Sequence, residues 1–80
     1  MKLYRISQNV NNGYDTYDSA VVAAETEEEA KMIHPSGNEW DGKELGYDSW
    51  CSAEKVKVEY IGEAKEGTLK GIIVSSFNAG

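Results

Sequence analysis

The 80-residue chain predicts an α+β fold, a small antiparallel sheet of about four strands with one short helix packed on one face. Three observations carry this expectation. Lys2–Gln8, Val56–Tyr60 and Gly71–Phe77 alternate apolar and polar residues, the period of a half-buried strand. Thr26 followed three residues on by Glu29 is a helix-start signal. Clusters of Asn and Gly separate the periodic segments where tight connections need positive φ.

Taken in order, Lys2–Gln8 reads as a strand with Tyr4 and Ile6 on one face and Leu3 and Arg5 on the other. Asn9–Asp15, containing Asn11-Asn12-Gly13, reads as a turn. Tyr17–Ala24, with its run Ala20-Val21-Val22-Ala23-Ala24, reads as a second strand antiparallel to the first. Thr26 caps a helix over Glu27–Ile33, where three glutamates meet the positive end of the helix dipole. Ala30 and Ile33 form its inward face, and Pro35 ends it, because the residue before a proline is pushed out of the α region.

Ser36–Ser52 is a long loop with two tryptophans, Trp40 and Trp50, that pin it to the body. Val56, Val58 and Tyr60 alternate with charged residues in a third strand. Lys65–Thr68 reads as a hairpin turn. The last strand, Gly71–Phe77, sets Ile72, Val74 and Ser76 on one face against Ile73, Ser75 and Phe77 on the other. The expected order is β-β-α-loop-β-β, and residues 1–80 read as one domain.

Eight basic residues against fourteen acidic ones give a net charge of −6, which repels nucleic acid at long range and suits a basic partner or plain solubility. Cys51 is the only cysteine, so no internal disulfide forms, and with no secretion signal the chain is expected in the cytoplasm. No stretch approaches the roughly 20 apolar residues of a membrane span.

Reaction chemistry finds little support. His34 is the only histidine, and one His with one Cys cannot furnish the three or four ligands of a zinc site. Asp15, Asp18 and Asp48 offer hard oxygen ligands without a calcium-loop pattern. No phosphate-binding glycine loop is present, so neither enzyme activity nor a cofactor is expected.

One motif points to recognition instead. Gly13-Tyr14-Asp15-Thr16-Tyr17-Asp18-Ser19 and Gly46-Tyr47-Asp48-Ser49-Trp50-Cys51-Ser52 share the order Gly-Tyr-Asp, hydroxyl, ring, any residue, Ser. These segments hold four of the eight aromatics, and rings with polar handles bury much area at little entropic cost. The candidate binding residues are Asn11, Asn12, Tyr14, Asp15, Tyr17, Asp18, His34, Tyr47, Asp48 and Trp50. The plainer reading makes both segments structural turns.

The segments Lys2–Ser7, Asn11–Ala24, Ile33-His34-Pro35 and Ser76–Gly80 resemble a group of short uncharacterised phage and prophage proteins. That resemblance implies a small accessory protein made in the cytoplasm of a bacterial host cell. It carries no assigned activity, so no functional residue transfers. The expectation is a non-enzymatic protein that blocks or modulates a host protein by stoichiometric binding, a defence-system protein among the candidates. A small-ligand binder that sequesters a nucleotide-type signal is the first alternative, and an assembly accessory the second. Neither direct nucleic-acid binding nor a membrane role is expected.

Overall fold

The computed structural model of the chain describes residues 1–10, 16–37, 40–43 and 50–78. Four strands form one antiparallel sheet: β1 (Lys2–Ser7), β2 (Thr16–Ala24), β3 (Lys57–Glu63) and β4 (Gly71–Asn78). A single α-helix, α1 (Glu27–Lys31), and a 3-10 turn at Ala53–Lys55 complete the described elements. The fold class read from the alternation and the helix signal is the one observed.

The order across the sheet is β3-β1-β2-β4. β2 is the most apolar strand and lies inside the sheet, paired with β1 from Ser19 to Ala24. β3 carries Lys57, Glu59 and Glu63 and lies at an edge, where charged side chains reach water. Tyr4, Ile6, Ala20, Val22 and Ala24 project from the sheet into the core.

A helix of five residues is too short to cover this face alone. Ala30 supplies its buried residue, and Trp50, Cys51 and Val56, from the chain leading into β3, fill the rest. Trp50, Ile6, Val22 and Cys51 are the largest fully buried side chains. Cys51 is thus an inert part of the packing.

Three expectations need correction. The helix ends at Lys31 rather than Ile33; Met32 is its C-cap, and the Ile33 N–H bonds the Ala30 carbonyl one residue tighter than an α-helix would. The turn at Lys65–Thr68 forms, closed by Thr68 N–H to Lys65 O at 3.0 Å, but it joins no hairpin. β3 and β4 stand at opposite edges, so the connection crosses the end of the sheet. Three interstrand spacings come to about 14 Å, within reach of residues 64–70 at about 3.3 Å each. Lys70 reaches the helix on the way, its Nζ 3.8 Å from Glu29 Oε1.

The third correction concerns β4. Val21 pairs with Val74 and Val22 with Ile72, so Ile73 is an extra, bulged residue. Because side chains alternate with period two, one extra residue reverses the faces beyond it. Ile72 packs on the core and Ser75 lies opposite core residue Ala20, while Val74 is 58% exposed opposite Val21.

The helix N-terminus is as expected. Thr26 is extended, and its Oγ1 accepts from Glu29 N–H at 3.2 Å. Thr26→Ala is expected to cost about 1 kcal/mol, or roughly 4–8 °C in melting temperature for a domain of this size. An unchanged thermal midpoint would place the helix start elsewhere.

Candidate functional site

The chain leaving α1 turns at once. Gly37 N–H bonds His34 O at 2.9 Å, closing a turn around Pro35 and Ser36, and Gly37 takes φ 84° to do so. Ser36 N–H donates to His34 Nδ1 at 3.1 Å. That bond uses the Nδ1 lone pair and therefore sets the tautomer of the neutral ring, with its proton on Nε2. Ser75 Oγ donates to Pro35 O at 2.8 Å and ties the turn to β4.

His34 is buried as a wedge between two rings. Its centroid lies 6.1 Å from Tyr17 and 5.4 Å from Trp40, with interplanar angles of 87° and 82°. Both are edge-to-face contacts, the arrangement that ring quadrupoles favour. Tyr17 reaches the wedge through a second bulge. Tyr17 pairs with Phe77 and Ser19 with Ser76, which leaves Asp18 as the extra residue. The resulting change of parity turns Tyr17 toward the core side and leaves Asp18 exposed. Gln8 Nε2 holds the bulge by donating to Tyr17 O at 2.9 Å.

Trp40 is held from the other side. Its Nε1 donates to Lys43 O at 2.9 Å, and Lys43 N–H donates to Asp41 Oδ1 at 3.0 Å. Gly42, at φ 84°, packs against Met32: a Cβ there would meet Met32 Sδ at 3.0 Å. Ala53 N–H bonds Gly42 O at 2.8 Å and anchors the strap to the 3-10 turn.

Between this strap, the His34 turn and the start of β4 lies an open groove of about 710 Å³, lined by Met32, Ile33, His34, Trp40, Asp41 and Ile72 together with Gly37 and Gly71. Among the described residues the lining is apolar and aromatic with one carboxylate, Asp41, and one imidazole. Among the described residues it contains no lysine or arginine.

Of the residues singled out from sequence, Tyr17 and His34 are brought together. Asp18 is exposed on its bulge. Trp50 is fully buried, which corrects its placement in a binding surface: a ring with no exposed area offers a partner nothing to touch. Asn11, Asn12, Tyr14, Asp15, Tyr47 and Asp48 lie outside the described residues. Trp40, Ile72 and Asp41 were missed as site residues. The available signal was the spacing of His34 and Trp40 on either side of Gly37, a glycine able to fold one ring back on the other.

No family model matches the chain, and comparison with curated proteins and with solved structures finds no match. No described helix is long and apolar enough to cross a membrane.

Proposed function

We propose that the chain is a non-enzymatic binding protein of the phage accessory kind. It acts by stoichiometric capture of a bacterial host protein, a basic side chain of which enters the His34–Trp40 groove. The observation that carries this reading is the composition of the groove. Apolar Ile33 and Ile72, the Trp40 ring and the Asp41 carboxylate line one open cleft in a chain of net charge −6. A lysine or arginine can lay its apolar stem along such a surface while its charge meets a ring and a carboxylate. Net negative charge speeds the approach of a basic partner. The resemblance to phage proteins supports the host setting.

A nucleotide sponge is the second reading, favoured by the groove volume, which lies within the range of small-molecule sites. The lining opposes it, because phosphate recognition needs cations or backbone N–H groups directed at the ligand, and no cationic side chain lines the groove among the described residues.

Capture from bacterial lysate tests the proposal. Wild type is expected to retain one protein in fixed ratio, and Asp41→Asn to bind it about tenfold more weakly, equivalent to about 1.4 kcal/mol. The amide keeps an oxygen for Lys43 N–H, so the loop bond survives while the charge is lost. Equal capture by Asp41→Asn would remove the groove from the mechanism. A thermal shift with a nucleotide panel separates the two readings, since a ligand at about 100 times its dissociation constant adds about 2.7 kcal/mol. Such a shift would favour the sponge.

A further inference from the structure

The face of the sheet turned away from the helix carries a small dent of its own. Tyr4, Ile6, Ala20 and Val22 point into the core, so Arg5, Ser7, Ser19 and Val21 point the other way. Ser19 pairs with Ser7 on one side and Ser76 on the other, and Val21 likewise pairs with Arg5 and Val74. Two rows therefore cross three strands, Ser7-Ser19-Ser76 and Arg5-Val21-Val74. The dent measures about 100 Å³, and its lining includes Arg5, Ser19, Val21, Val74 and Ser76. No carboxylate is among its described lining residues. Arg5 is the only arginine of the chain. Glu59 stands across from it on β3, yet among the described residues no ion pair joins the two, and Arg5 lines the dent instead. Among the described residues the hydroxyls of Ser19 and Ser76 are likewise not engaged, whereas that of Ser75 is committed to Pro35 O.

We infer that this dent binds a phosphate group, as the free ion or as the monoester of a small molecule. The donor set selects it. A guanidinium gives two parallel N–H bonds to two phosphate oxygens, and a hydroxyl can donate to a third. A carboxylate has no third oxygen and would leave the serines unused. Directly paired residues such as Ser19 and Ser76 have Cβ atoms about 4.5–5.5 Å apart, and Arg5 is diagonal to Ser19, a separation that a long side chain spans. A volume of about 100 Å³ lies well below the roughly 300 Å³ at which drug-sized sites begin, so one oxyanion enters and any organic remainder lies outside, over Val21 and Val74. Lys57, paired with Ser7 on the same face, is a second cation that offsets locally the field of a chain of net charge −6. The dent shares no lining residue with the His34–Trp40 groove, and the inference does not rest on the function proposed for that groove.

Proton–nitrogen spectra of the labelled chain, titrated at constant ionic strength with sodium phosphate and with phenyl phosphate, test the inference. Both probes are expected to shift the Ser19, Val21 and Ser76 amides to saturation, and sodium chloride is not. Equal affinity for the two identifies the free ion as the source, and tighter binding of phenyl phosphate identifies a monoester resting on the valines. Arg5→Gln is expected to weaken phosphate binding at least about tenfold. Ser19→Ala combined with Ser76→Ala is expected to weaken it by about threefold or more. Glu59→Gln removes the carboxylate across from Arg5 and is expected to tighten it. Arg5 and Glu59 are both exposed, so the dispersion of the remaining amides is expected to be that of wild type in either variant. The inference is overturned by the absence of a saturable shift with both probes, by binding indifferent to Arg5→Gln, or by binding lost in Glu59→Gln.

Discussion

Trp50→Ala is expected to leave the chain largely unfolded at room temperature. Trp50 has no exposed surface and is the largest fully buried side chain. Removing such a ring typically costs about 3–5 kcal/mol, the lost transfer energy plus the cavity left behind. A domain of this length buries a modest core and has little more than that to lose. The helix cannot compensate, since α1 offers one buried residue, Ala30, to the same core. The expected signature is loss of near-ultraviolet dichroism and collapse of amide dispersion in a proton–nitrogen spectrum. Trp50→Phe keeps an aromatic ring in the cavity and is expected to remain folded with a lowered midpoint. A Trp50→Ala variant that melts within a few degrees of wild type would contradict the core placement and return Trp50 to the surface.

This prediction divides what the sequence disclosed from what it did not. The strand β1 was legible because Tyr4 and Ile6 are buried and Leu3 and Arg5 are not, an alternation that survives folding unchanged. The helix start was legible because an N-cap is a local hydrogen bond between residues three apart. The two tryptophans were not separable in this way. Both sit among glycines and polar residues without periodicity, and only the packed core decides that Trp50 is enclosed while Trp40 lines a groove.

Bulges were hidden for a related reason. An extra residue at Asp18 or Ile73 leaves no compositional mark, yet each reverses the faces of the residues beyond it. Tyr17 owes its contact with His34 to the first, and Val74 its exposure to the second. The Lys65–Thr68 turn shows the limit of turn chemistry: Gly67, at φ 90°, reverses the chain locally but has no say in which strand the next one pairs with. That choice belongs to β1 and β2, whose own hairpin occupies the centre of the sheet.

His34→Ala is expected to lower the melting temperature by roughly 10–20 °C and, on the function proposed above, to abolish capture of a partner in the groove. The imidazole is the middle of three rings, so its loss removes both edge-to-face contacts at once, each worth about 0.5–1.5 kcal/mol beyond buried area. It also removes the acceptor of the Ser36 N–H, and losing a part-buried hydrogen bond costs about 1 kcal/mol. The sum is about 2–4 kcal/mol, and each kcal/mol is worth about 4–8 °C in a domain of 60–100 residues. Trp40 loses the surface it rests on and Ile33–Pro35 its anchor, so the groove loses its shape before the sheet melts. Binding measured well below the new midpoint separates the two effects. A folded His34→Ala chain that still captures its partner at wild-type strength would show that recognition lies away from the groove. An unchanged midpoint would show that Tyr17 and Trp40 hold their places without the ring between them.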